Sequence, residues 1–484
     1  MNYKMMGRFF GLFVAVEAVV LLPALGISLS YGETAAIRGF LWTFAIMALL
    51  GGILFGLCRK AGRIFGAREG MVCVGISWVI LSILGCLPFV ISGAIPRFID
   101  AFFEVVSGFT TTGASILSDV EALPRGLLYW RSFTNWLGGM GVLVFLLAII
   151  PVSGGERGFT MHLLRAESPG PDVGKLVPKM RHTAIILYGI YVALTVICFL
   201  FLLFGKMNPL DALCTAMSTA GTGGFGVRND SLASFSPYIQ NVCTIFMFLF
   251  GVNFSCYYLL LLRQFRGVFR DEELRMYVLL AAASIVLITW NVRHLYGTLG
   301  ETVRHAAFQV SSIMTTTGFA TTDFDLWPSF SKSILMMLMV VGGSAGSTSG
   351  GLKCIRVLLL FKILRRNIRL LMNPRKVQVV RSNGKAMSEK ILDNVNAYLA
   401  AYVIILIISI LLISLDGFST GTNVTAVLSC FNNIGPGLEA VGPTCNFSGF
   451  SDFSKLVLIV DMLAGRLEIF PMLVLITRST WKRK

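Results

Sequence analysis

Ten stretches of the chain stay apolar for about the 20 residues that a helix needs to cross a bilayer. They lie near 9–29, 38–57, 71–92, 128–150, 183–204, 238–262, 276–296, 333–352, 395–415 and 454–477. The eighth is interrupted by Gly and Ser and then resumes as an apolar, basic segment to about Leu371. The first follows Lys4 and Arg8. It is too long for a signal-peptide core and a second span follows at once, so it reads as a retained helix. The loops after spans three, five, seven and nine each open with a shorter, moderately apolar stretch. Residues 100–110 would make a helix of about 15 Å, half of the ~30 Å hydrocarbon layer. Each short stretch then reaches a turn of small residues: Phe109-Thr-Thr-Thr-Gly113-Ala, Thr219-Ala-Gly-Thr-Gly223-Gly, Met314-Thr-Thr-Thr-Gly318-Phe and Phe431-Asn-Asn-Ile-Gly435-Pro.

Asp100, Asp211 and Asn423 are candidate N-caps for three of these half-helices, with His305, a poorer cap, in the third. They precede Gly113, Gly223, Gly435 and Gly318 by 12 or 13 residues. The glycines recur roughly every hundred residues, so the chain carries an internal repeat of span, half-helix, turn, span. Two spans per unit give all four units one orientation, whereas inverted repeats need an odd number. Four parallel copies imply pseudo-fourfold symmetry about an axis normal to the membrane, with the turns meeting on it. The expected architecture is all-α integral membrane, ten transmembrane helices, arranged as an N-terminal pair (1–70) and pore repeats over 71–165, 166–270, 271–390 and 391–484.

Composition agrees with this pattern. The 484 residues are 55% hydrophobic and 14% charged, well below the roughly 25% charged of soluble chains. The net charge of +16 would suggest nucleic acid in a soluble protein. With the N-terminus in the cytoplasm and the spans alternating, thirty basic residues fall on the cytoplasmic side and ten outside. The excess is therefore a positive-inside topology signal, and no nucleic-acid partner is needed. The expected setting is a membrane that the chain crosses many times, with both termini cytoplasmic and lipid around the spans. The ten cysteines include no CxxC, which argues against a zinc or redox motif. Cys430 and Cys445 read as free thiols, with a pairing left open.

The turns carry the candidate chemistry. Non-helical backbone at membrane depth survives where it is buried in protein or lines water. Four such turns around an axis make a ring of carbonyl oxygens able to replace the hydration shell of a monovalent cation. Glycine permits φ > 0 there, and the negative C-terminal ends of the half-helices point to the same place. The candidate cation-binding residues are Thr111, Thr112, Gly113, Gly221, Thr222, Gly223, Thr316, Thr317, Gly318, Asn433, Ile434 and Gly435. Gly221, Gly223 and Gly226 also spell a dinucleotide fingerprint, but a half-helix precedes it where a strand is required. No catalytic machinery is expected. His162, His182, His294 and His305 are dispersed, and an intramembrane enzyme would need them, or acids, clustered. No cofactor is expected.

Four span–half-helix–span units, a glycine in each turn, and Gly342-Gly-Ser-Ala-Gly-Ser-Thr-Ser-Gly-Gly351 inside the eighth span resemble the Trk/Ktr/HKT superfamily of potassium transporters. The leading helix pair and the length resemble its bacterial TrkH branch. The resemblance implies potassium uptake across a bacterial inner membrane, with potassium as the substrate, bound at the turn residues given above. It also implies an intramembrane loop obstructing the pore below the filter, with Gly346, Ser347 and Thr348 at its centre, and Arg466 as a pore-lining gate residue. It further implies a homodimer and a soluble nucleotide-binding regulatory partner of the TrkA type. Read from the residues alone, Arg466 is also open to structural pairing with Asp461 or Glu468, and Glu17 reads as packed or snorkelling. The fourth turn departs from the Thr-rich form. The competing reading is a symport carrier that couples potassium entry to proton or sodium, with Asp461 and Glu468 as the titratable candidates.

Overall fold

A computed structural model describes residues 2–58, 67–141 and 180–481. It is helical apart from a two-residue antiparallel ribbon, Arg381–Ser382 against Lys385–Ala386. Asn383 and Gly384 form that hairpin's turn, both at positive φ, as an Asn-Gly turn of this length requires.

Among the described residues, six helical segments are long and apolar enough to cross a membrane: Tyr3–Tyr31, Thr34–Leu57, Glu69–Ser92, Ala184–Phe204, Glu272–Val292 and Glu389–Asp416. A seventh candidate, Pro237–Phe250 with Phe254–Leu261, bends by 88°. Their outward faces carry exposed Trp42, Leu49, Leu279, Ile407 and Leu411, a surface that hydrocarbon solvates and water does not. The N-terminal helices Tyr3–Val20 and Thr34–Leu57 cross in close contact at Gly11 and Gly51. A Cβ at Gly11 would come within 3.0 Å of the Phe55 nitrogen.

The expected half-helices are present as Phe98–Phe109, Pro209–Gly221, Leu299–Met314 and Thr420–Phe431. Their starts differ from expectation. The N-cap positions are Arg97, Asn208, Thr298 and Ser419. Asp100 and Asp211 lie one turn inside, where an acid complements the macrodipole without capping. Asn423 instead donates to the Phe418 carbonyl at 3.1 Å. His305 sits deep in the third half-helix, which begins about a turn earlier than the others.

The second helix of every unit also stops short. Arg125–Gly139, Pro237–Phe250, Ser329–Val341 and Asp452–Arg466 run 13 to 15 residues and then break. Glycine at 141, 251 and 342 follows three of the stops. In the fourth, Glu468 and Ile469 both take positive φ. Run 128–150 continues past Gly141 outside the described residues. Against these short helices pack the largest buried side chains of the main core, including Trp78, Phe103, Phe109 and Trp130.

Candidate functional site

All four half-helices end alike. The amide of Thr111 bonds the Gly108 carbonyl and that of Thr112 the Ser107 carbonyl. The pairs Thr222–Thr219 and Gly223–Ser218, Thr316–Ile313 and Thr317–Ser312, and Asn433–Cys430 and Ile434–Ser429 repeat the pattern, at 2.8–3.3 Å. This is the Schellman arrangement, which puts one residue in the left-handed region. Here it is Thr111, Thr222, Thr316 or Asn433, at φ 52–56°. Asparagine tolerates that region. For a β-branched threonine it is a strained conformation, so three of the four turns store strain.

Two residues further on, Gly113, Gly224, Gly318 and Gly435 again have positive φ, from 66° to 104°. The second unit's equivalent residue is therefore Gly224, one after the expected Gly223. A serine common to all units, at 107, 218, 312 and 429, marks the same alignment. Gly223 holds the place of Thr112, Thr317 and Ile434, and Gly221 that of Thr110.

The four turns meet. A Cβ built on Gly113 would come within 3.0 Å of the Gly223 carbonyl oxygen; on Gly224, of Thr317; on Gly318, of Ile434; and on Gly435, of Thr112. Each glycine thus abuts the carbonyl of the next unit's turn, and the cycle closes on the first. No side chain fits at these positions.

The surroundings hold the turns apart by different means. Hydroxyl pairs Thr110–Thr112 and Thr315–Thr317, both at 2.8 Å, brace the first and third turns. In the fourth, Asn432 exchanges hydrogen bonds with Tyr402. Asn433 Nδ2 donates to Thr112 Oγ1 and to the Met462 carbonyl, both at 2.9 Å. The Asn-Asn-Ile-Gly turn is thus cross-linked to its neighbour. Behind the ring lies a buried ion pair, Arg131 Nε to Glu104 Oε1 at 2.6 Å. Glu104 also accepts from Ser115 Oγ and the Ile116 amide. Arg131 donates to the Gly226 carbonyl and lies over the Phe225 ring. Sequence reasoning passed over this pair, although an acid and a base inside apolar runs were the signal for it.

Below the ring, the chain from Gly342 to Lys353 forms a loop that contacts the second, third and fourth units. Its Gly350 amide donates to Thr316 Oγ1 at 2.6 Å. The Ser344 amide bonds the Gly251 carbonyl at 3.0 Å, and the Phe254 amide bonds the Gly346 carbonyl at 2.9 Å. Thr348 Oγ1 reaches the Phe250 carbonyl at 3.3 Å. The Thr348 carbonyl accepts from Arg466 Nη1 at 2.9 Å, and Arg466 Nη2 bonds the Gly139 carbonyl at 2.6 Å and that of Gly138. The arginine thus joins loop, fourth unit and first unit through backbone oxygens. Of the acids considered as its partners, Glu468 pairs with Arg356 and Asp461 accepts from Ser409 Oγ at 2.7 Å. Gly346 and Ser347 lie at the loop's crest, with Ser347 Oγ on the Ser344 carbonyl. Glu273 Oε1 fixes both ends of the loop by accepting from the amides of Ala345 and Ile355. Lys353, buried and at φ 75°, donates to the Ser349 carbonyl.

Elsewhere, Glu17 is buried, as expected of a packed residue. Cys430 is buried and Cys445 exposed, and both are free thiols.

Apolar helices too exposed for water, around a centre of short helices and strained turns, define the class as helical membrane proteins, here of transport type. The chain belongs to the TrkH family, described as cation transport protein, whose model matches residues 36–482. It is 37% identical to the Trk system potassium uptake protein TrkH of Salmonella typhimurium over 100% of both chains. It is 32% identical to the Trk system potassium uptake protein TrkG of Escherichia coli K12, over 98% of this chain and 97% of the other. The crystal structure of the potassium transporter TrkH from Vibrio parahaemolyticus superposes with a TM-score of 0.88 at 32% identity, covering both chains fully. The family is one of transporters, not enzymes.

Proposed function

We propose that this chain takes potassium into the cell along the axis on which its four turns meet. The carbonyl layer of Thr112, Gly223, Thr317 and Ile434 and the turn glycines form the filter. Loop 342–353 and Arg466 form the gate. The observation that carries the reading is the closed cycle in which each turn glycine abuts the next turn's carbonyl. Such a ring sets the number and mutual placement of the carbonyl dipoles that replace a cation's hydration shell, the features on which selectivity in carbonyl-lined filters depends. The full-length likeness to proteins named for potassium uptake supplies the ion.

In this reading each broken second helix counts with its continuation as one crossing, which gives ten spans and the N-terminal pair plus four repeats. The bacterial inner membrane holds the chain with both termini in the cytoplasm. A second copy and a nucleotide-binding subunit of the TrkA type complete the system, the latter on the basic cytoplasmic helix Cys354–Met372. Coupling to proton or sodium is the second reading. It has one observation in its favour: Asp461 is buried and its Oδ2 has no hydrogen-bond partner. Reversal potentials in liposomes with pH and sodium varied separate the two.

The test of the filter is Gly113→Ser. A side chain there strikes the Gly223 carbonyl, and we expect potassium-to-sodium discrimination to fall. Unchanged ion ratios in a folded variant refute the assignment.

A further inference from the structure

The residues at the left-handed position of the turns do not use their side chains alike. Thr222 Oγ1 donates within its own turn, to the Gly221 carbonyl at 2.7 Å. Thr111 Oγ1 and Asn433 Oδ1 are buried and have no hydrogen-bond partner. Thr316 Oγ1 gives its lone pair to another segment, the Gly350 amide of the loop. That contact exists because residue 350 is glycine: a Cβ there would come within 3.0 Å of the Asn432 carbonyl oxygen. The loop is therefore wedged under the third and fourth turns at one residue.

Buried oxygens without partners call for a polar occupant. Residues 111, 222, 316 and 433 hold equivalent backbone positions in the four turns; in the filter reading, the occupant that the hydroxyls of Thr111 and Thr316 would meet is a dehydrated monovalent cation. Thr316 Oγ1 then has two claimants. The Gly350 N–H presents the positive end of its dipole to that oxygen, and a cation beside the oxygen repels the same dipole. We propose that Thr316 latches the gate loop to the filter, so that the closed loop and a potassium ion at the filter's inner end compete for one hydroxyl oxygen. The proposal rests on the filter-and-gate reading above and adds a coupling between its two parts.

The coupling is reciprocal. A closed loop weakens the inner cation site by the factor with which the cation weakens the latch. One net hydrogen bond sets that factor at about two- to tenfold. Potassium then promotes loop release, and release restores the oxygen to the ion path. The latch is a positioning contact of Thr316, separate from the carbonyl ring that selects.

The experiment is hydrogen exchange of the loop peptide containing Gly350, on the full chain in lipid nanodiscs. Potassium is compared with N-methylglucamine at constant ionic strength. Wild type should exchange about two- to tenfold faster in potassium. Thr316→Val keeps the branched shape and removes the acceptor. It should exchange fast in both salts and pass more rubidium in liposomes without a partner subunit. Thr316→Ser keeps the hydroxyl acceptor and should restore the potassium dependence of loop exchange, which separates loss of the latch from damage to the turn. Wild-type exchange that ignores potassium, or a Thr316→Val loop as protected as wild type, overturns the latch. Gly318→Ser, measured beside them for ion ratios, reports on the filter itself. If it alters selectivity while the loop results are negative, the latch alone is wrong. If it leaves selectivity unchanged, the underlying reading fails.

Discussion

Three threonines and one asparagine hold left-handed backbone at the ends of four buried half-helices. Such strain costs about 1–3 kcal/mol per residue and persists only where the surroundings impose it. The imposing contacts are the turn hydrogen bonds and the glycine that follows two residues later. This gives a test that separates neighbouring glycines. Gly224→Ala places a Cβ against the Thr317 backbone oxygen at φ 66°, and backbone has nowhere to go. Gly223→Ala meets the Asn135 side chain, which has a rotamer to change. Gly224→Ala is expected to lose more potassium-to-sodium discrimination than Gly223→Ala in reversal-potential measurements; the opposite order would restore Gly223 as the structural equivalent. The ion pair Glu104–Arg131 makes a second test at this scale. Both side chains are buried, so removing one partner leaves an uncompensated charge, a loss of roughly 3–5 kcal/mol. Arg131→Met should lower the melting temperature in detergent markedly. The double variant Glu104→Gln, Arg131→Met should recover part of the loss, and a double variant worse than the single one would deny the pairing.

Among elements, the loop and Arg466 act together. The guanidinium bonds carbonyls of the loop and of the first unit's second helix. Hydrogen bonds from a charged group contribute about 1.5–3 kcal/mol each. Arg466→Ala removes these bonds and a positive charge from the proposed path at once. Rubidium tracer flux without a partner subunit should rise about tenfold or more with ion ratios kept, as it should on deleting part of 344–349. Lower flux in a folded Arg466→Ala protein would make the arginine a brace rather than a gate. The half-helices and their turns were legible in the sequence, because a short apolar stretch ending in a small-residue turn recurs four times at matched positions. The second turn's alignment was not, since Gly221, Gly223 and Gly224 all compete for one place; the signal that separates them is the serine six residues before the glycine in every unit. The caps were misplaced because an aspartate in the first helical turn looks like a cap in sequence. The breaks in the second helices were hidden for a different reason: apolar residues continue through 250–262 and 466–477, so hydropathy shows one span where the backbone turns. The Glu104–Arg131 pair joins residues 27 apart, beyond the reach of local periodicity.

For the whole molecule, the basic excess and the loop meet in one helix. Cys354–Met372 starts at loop 342–353 and ends among exposed Arg365 and Arg369, while Arg366 is held by Glu389 at 2.9 Å. A regulatory subunit that binds there would pull on the loop directly. Reversing Arg365 and Arg369 should weaken co-purification with a nucleotide-binding partner, and the remaining binding should be less salt-sensitive. Unchanged binding moves the docking surface elsewhere. The central claim is that the four turns select potassium on a common axis, and rubidium anomalous scattering from crystals of the full chain tests it most directly. The account predicts density on that axis within coordination distance of the carbonyls of Thr112, Gly223, Thr317 and Ile434, displaced by excess potassium and not by sodium. Ordered rubidium elsewhere, with none at the ring, would contradict it.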